Sequence, residues 1–190
     1  MLIALELGQT SLRNYYNDNI KGNYFYSLTT NLEIIITKLL RGAAQALKQF
    51  HKHGIHLDIK SDNFIISQNQ NEGNNVIVCK LIDFNTSFLF NYHNVNDIRV
   101  ESATEIYKAP EIRGNDRSKA IDNYENLDNL LNKYRKRFLF TRLDKVIKAC
   151  IQLNPNDRPS IKAILDFLNY ECNAFNYEKD KITNVKFCED

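Results

Sequence analysis

A strong net charge is the first thing this chain lacks. Its 190 residues carry 25 Lys and Arg against 23 Asp and Glu, a formal charge of +2. The basic residues are scattered rather than striped, so neither nucleic acid nor an anionic membrane surface is implied as a partner. The short cluster Lys133, Arg135, Lys136, Arg137 reads as a solvated helix end. No apolar run approaches the ~20 residues of a membrane span. Met1-Leu2-Ile3-Ala4-Leu5 is too short for a signal sequence, and no basic stretch precedes it. Cysteine is sparse: Cys79, Cys150, Cys172 and Cys188 show no CxxC spacing, which implies neither a zinc site nor a disulfide framework. Cys79 and Cys150 sit in apolar stretches, as buried thiols do. Four dispersed thiols without a leader point to a reducing, cytoplasmic location. Internal repeats are absent as well.

What is present suits one folded domain: 43% of residues are apolar and 25% charged, an ordinary globular balance. Residues 2–7 read as a short buried strand running into a turn at Gly8-Gln9-Thr10-Ser11. A short helix is expected over Leu12 to Ile20. The strongest helix runs from about Asn31 to His53, where Leu32, Ile36, Leu39, Leu40, Ala43, Leu47 and Phe50 form one apolar face. Thr30 and Glu33 make a capping box, and Gly54 is a C-terminal stop. Phe64–Ile66 and Val76–Ile82 read as two strands joined by an Asn-rich loop, in hairpin fashion. Residues 84–108 lack a sustained period and read as a long loop. Helices follow around Asp122–Arg137 and Leu143–Leu153, and Ser160 caps a last one. A polar, loosely ordered tail is expected from 171 to 190.

The chemistry lies in His56-Leu57-Asp58-Ile59-Lys60-Ser61-Asp62-Asn63. Phosphoryl transfer asks for a carboxylate to orient and deprotonate a hydroxyl, cations against phosphate charge, and ligands for Mg²⁺. Asp58, Lys60 and Asn63 supply one of each within six residues. Some way on, Asp83-Phe84-Asn85 follows an apolar strand, and its carboxylate is placed to hold the same metal. Later come Thr104-Glu105-Ile106-Tyr107-Lys108-Ala109-Pro110-Glu111 and Arg158.

In these segments the chain resembles the eukaryotic protein kinases, over about residues 2–170. His56 to Asn63 is similar to the HRDxKxxN catalytic loop, Asp83-Phe84-Asn85 to DFG, and Ala109-Pro110-Glu111 to APE. The resemblance implies an α+β, mainly helical fold, the large lobe of a kinase with a small β-hairpin at the nucleotide face. It implies two segments, a truncated kinase-like domain over 1–170 and a polar tail over 171–190. Asp58 would be the catalytic base and Lys60 the phosphate-facing cation, while Asn63 and Asp83 would hold Mg²⁺. ATP would lie on Glu6, Gly8 and Ile65. Arg158 would pair with Glu111. Lys60 and Thr104 follow the Ser/Thr rather than the Tyr pattern, so protein Ser/Thr hydroxyls are the implied substrate. No Gly-rich loop or VAIK-type Lys precedes Leu2, and the stretch from Glu111 to Arg158 is shorter than in the family. A pseudokinase-like module that docks another protein is therefore the competing reading. Leu57 stands where the family has Arg, and Asn85 where it has Gly.

Overall fold

The computed structural model describes residues 7–21, 29–70, 75–91, 104, 107, 109, 121–136 and 141–189, without the side chains of 29–31 and 121–126. The chain divides into two compact units, Met1–Ala103 and Thr104–Asp190.

In the first unit, β1 (Gly8–Ser11) leads directly into α1 (Leu12–Tyr16), which continues as one π-helical turn over Asn17–Lys21. Ser11 makes the junction, because its side-chain oxygen accepts from the Asn14 amide at 3.2 Å. The long α2 (Thr29–Phe50) follows the expected periodicity. Its apolar stripe, Leu32, Ile35, Ile36 and Leu39, packs with Ile20, Ile66 and Ile77. The expected Thr30–Glu33 capping box is corrected by the helix start: α2 already includes Thr29, so Thr30 lies inside the helix rather than at its cap. Next come β2 (Gly54–Ile55), β3 (Phe64–Ser67), β4 (Cys79–Leu81) and β5 (Phe88–Leu89). Three strands form a sheet in the order β1-β3-β4, and β2 pairs with β5; all pairings are antiparallel.

Two glycines mark where backbones touch. A Cβ on Gly42, in mid-α2, would lie 1.8 Å from the Ile77 carbonyl oxygen. There the Ile77 amide donates to the helix carbonyl of Lys38 at 3.2 Å. A Cβ on Gly54 would lie 2.2 Å from the Phe88 carbonyl oxygen. Gly54 is thus a strand residue in close pairing rather than the helix stop the sequence suggests.

Of the strand expected over 2–7, only Leu7 is described, and it lies outside β1. Residues 1–6 lie outside the described residues, Leu7 is 73% exposed, and β1 occupies the Gly8–Ser11 stretch read as a turn. β3 supplies the partner that local composition could not announce. The region read as a structureless loop contains β5, and 92–103 lie outside the description.

The second unit holds α3 (Ile121–Lys136), α4 (Arg142–Cys150) and α5 (Ile161–Leu168). Thr141 and Asp144 form a capping box at the start of α4. Asp144 also accepts from the Tyr134 hydroxyl at 2.5 Å. Ser160 caps α5 as expected, its oxygen 3.1 Å from the Ala163 amide.

The loosely ordered tail expected after Glu171 is corrected by the packing. Ala174 and Phe175 are buried, and the Phe175 ring stacks on Phe167 of α5 with centroids 4.6 Å apart. Arg142 reaches from α4 over the Phe167 and Tyr170 rings and donates to the carbonyls of Phe167 and Cys172. A parallel bridge joins Ala174 to Phe187. Beside it Cys172 and Cys188, each 2% exposed, form a disulfide. The sequence implied four unpaired thiols; the fold leaves Cys79 and Cys150 free, and Cys150 is exposed rather than buried. Spacing did not reveal the pair because its apposition comes from the chain folding back on itself. The case for a reducing compartment loses the support it drew from cysteine usage.

Candidate active site

The segment from His56 to Asn63 is stretched between two anchors, β2 at its start and β3 at its end. His56 is 1% exposed. Its Nε2 lies 2.9 Å from the Ile82 carbonyl oxygen, and its Nδ1 lies 3.4 Å from the Asp58 amide. A carbonyl can only accept and an amide N–H can only donate, so both contacts are satisfied by the neutral ring protonated on Nε2. The His56 carbonyl in turn accepts from the Thr86 and Ser87 hydroxyls, both at 3.3 Å. The ring packs edge-on against Phe50 and Phe84, which stack on each other with centroids 4.9 Å apart. Phe50 ends α2, and Phe84 sits next to Asp83. Sequence reading did not single out this three-ring stack, although Phe50 belonged to the apolar face it identified.

Leu57 turns the chain with φ 66°. That puts Asp58 inward, where it is 7% exposed. Its carboxylate is doubly held: Lys60 Nζ donates to Oδ2 at 2.6 Å, and Asn63 Nδ2 to the same oxygen at 3.3 Å. Asn63 Nδ2 also donates to the Asp58 carbonyl at 2.9 Å. The Lys60 ammonium is stabilised in its charged form, first by that hydrogen bond and then by the fields of Asp58, Asp83 and Asp62. Arg13 of α1 meets Asp62 at 3.3 Å.

β4 carries Asp83 to this loop. The Ile82 amide donates to the Asn63 carbonyl at 2.9 Å, extending the β3–β4 ladder by one rung, so Asn63 and Asp83 fall on adjoining positions. Asp83 has φ 61°, and its Oδ1 accepts from Asn85 Nδ2 at 3.0 Å. On the sheet's other edge Gly8 of β1 pairs with Ser67, and a Cβ there would strike Ile65 Cγ2 at 2.0 Å. Gly8 and Ile65 are therefore brought together, as are Asp58, Lys60, Asn63 and Asp83.

Glu6 and Glu111 lie outside the described residues. Of Thr104–Glu111, only Thr104, Tyr107 and Ala109 are described. Arg158 donates through Nε and Nη2 to the carbonyls of Gln152 and Leu153, at 2.8 and 3.1 Å, just past the end of α4.

The donor set fits Mg²⁺. Asn63 spends its amide nitrogen on Asp58, which leaves its amide oxygen as the group that would bind a cation. Lys60 stands against Asp58 and Arg13 against Asp62. Among the described residues no three His, Cys, Asp or Glu side chains gather into a metal cage. Mg²⁺ does not ask for one, since it takes one or two carboxylates and completes its shell with phosphate and water.

No helix among the described residues is long and apolar enough to cross a membrane. Curated protein sequences yield no match to the chain. The description "Protein kinase domain" belongs to the family whose profile matches residues 2–125, about two thirds of the sequence and the whole of the loop described above. The chain belongs to the protein kinase domain family.

Proposed function

We propose that this chain is the large lobe of a Ser/Thr protein kinase that transfers the γ-phosphoryl group of ATP to a protein hydroxyl. In this reading the kinase-like region extends to about residue 170, and the β3–β4 hairpin forms the nucleotide face with Gly8 and Ile65 against adenine. The observation that carries the proposal is the buried Asp58, doubly held by Lys60 and Asn63, with Asp83 near enough for its charge to act on Lys60.

Asp58 orients the incoming hydroxyl and takes its proton as the oxygen bonds to phosphorus. The bond between phosphorus and the β–γ bridging oxygen breaks, and ADP leaves. Lys60 keeps its proton throughout, so it holds Asp58 in place and faces the phosphate as a fixed positive charge. Asn63 and Asp83 would hold Mg²⁺, which when bound offsets phosphate charge and aligns the nucleotide. The neutral His56 ring takes no part in proton transfer, both of its nitrogens being engaged with the backbone.

The test is phosphate transfer from γ-labelled ATP to Ser, Thr and Tyr peptides, by the chain alone and joined behind a competent kinase small lobe. The joined protein should label Ser and Thr. Asp58→Asn should lower that rate by about 10²–10⁴-fold. Undiminished transfer by Asp58→Asn, or labelling confined to Tyr, refutes the assignment. A joined protein that binds ATP yet transfers nothing would favour a docking module instead.

A further inference from the structure

Asn85 is one of two places, with Leu57, where this chain departs from the family's pattern in these segments, and it is bonded to Asp83. Asp83 follows a strand end on a left-handed backbone and is exposed. An exposed carboxylate ordinarily samples several rotamers, and a cation must then order it at an entropic cost. Here Asn85 Nδ2 donates to Asp83 Oδ1 at 3.0 Å.

We infer that Asn85 is a positioning residue: its side-chain amide presets the Asp83 carboxylate to receive a divalent cation together with Asn63. The inference rests on the reading of Asp83 as a metal ligand. Chemistry favours an amide for the task. Glycine has no donor to offer. A Lys or Arg would fix the carboxylate but cancel the negative charge that attracts the ion. The neutral amide fixes orientation and leaves that charge intact. One lone pair of Oδ1 is used, which leaves Oδ2 and the other Oδ1 lone pair for the cation. Groups that orient a metal ligand commonly change metal affinity by about 10–100-fold. Exposure of both partners puts the expected effect at the low end of that range.

Asn85 also lies in a turn, closed by the Ser87 amide on the Phe84 carbonyl at 3.0 Å, so the test must separate orientation from turn stability. The full chain, ¹⁵N-labelled, is titrated with Mn²⁺ alone while broadening of the Asn63 and Asp83 amide signals is followed. Asn85→Gly and Asn85→Ala should each weaken Mn²⁺ binding about tenfold with the thermal midpoint unchanged, and Asp83→Asn should abolish the local broadening. Wild-type affinity in both Asn85 variants overturns the inference while leaving the metal reading standing. An affinity loss that tracks a fall in thermal midpoint overturns it too, by showing a turn role. Equal Mn²⁺ response in wild type and Asp83→Asn overturns the metal reading itself and the inference with it.

Discussion

Consider the double variant Cys172→Ala/Cys188→Ala. The disulfide closes a loop with a sequence separation of 16, and in the chain-entropy treatment a loop of about 15 residues contributes about 3 kcal/mol by limiting the unfolded ensemble. Other ties survive its removal. The Asn173 amide still donates to the Lys186 carbonyl, and the Cys188 amide to the Ala174 carbonyl, both at 2.8 Å. Phe175 remains stacked on Phe167, and the Glu178 carboxylate still accepts from the Phe175 amide at 3.0 Å. The folded segment should therefore stay in place, and the loss should be that of the unfolded-state constraint alone. At a urea dependence of about 2 kcal/mol per molar, the unfolding midpoint of this unit should fall by ~1.5 M. Alanine is chosen over serine because a hydroxyl at sites 2% exposed would add its own desolvation cost. Adding a thiol reductant to the wild-type protein should reproduce the shift, and adding it to the variant should do nothing further. A variant midpoint within ~0.3 M of the oxidised wild type, far short of the shift worked above, would show that the constraint stabilises nothing. The tail would then be held by its packing.

Burial pushes the Cys79 thiol from its ordinary 9.0 up to about 12, so iodoacetamide at neutral pH should label it only in the unfolded protein. The folded state keeps this proton between those two values while the unfolded chain releases it. That contribution to stability is intact below pH 9.0 and declines as pH rises toward 12; comparing wild type with Cys79→Ala in urea at several pH values isolates it. Leu57, at φ 66°, holds a conformation that costs an L-residue ~1–2 kcal/mol. Leu57→Gly should raise the free energy of unfolding by up to ~1 kcal/mol after the added freedom of its unfolded state, and a fall would mean the Leu57 side chain contributes more than the strain costs.

The candidate site was legible in the sequence as a cluster because its residues are contiguous: Asp58, Lys60 and Asn63 meet through spacings of two, three and five residues. The long helix was legible from its period, and β3 and β4 from short apolar runs. β1 was read as a turn because Gly8-Gln9-Thr10-Ser11 has turn composition, and only pairing with β3 makes it extended. β2 and β5, two residues each, are shorter than any period can register. The stapled C-terminal segment was hidden for a different reason. Its surface is polar, and Ala174, Phe175 and the cysteine pair are buried by a return of the chain that no local pattern encodes. The Asn85–Asp83 bond was invisible as well, since the sequence showed only that Asn85 stands where the family has Gly.

Gly42 has a bearing on accuracy as well as packing. With the Ile77 oxygen where a Cβ would be, α2 can meet the β4 approach at one position of its surface only. Sliding the helix by one residue would turn it by about 100° and advance it about 1.5 Å, presenting a side chain where none fits. A glycine at this crossing therefore acts as an index mark, setting both the rotation and the axial position of the helix whose end carries Phe50, the ring that packs on His56. Catalytic groups must be held to within about 0.5 Å, a tolerance finer than a single step of helix register. A contact about two helix turns before Phe50, made by a residue with no side chain, thus sets the zero from which the placement of the loop is measured.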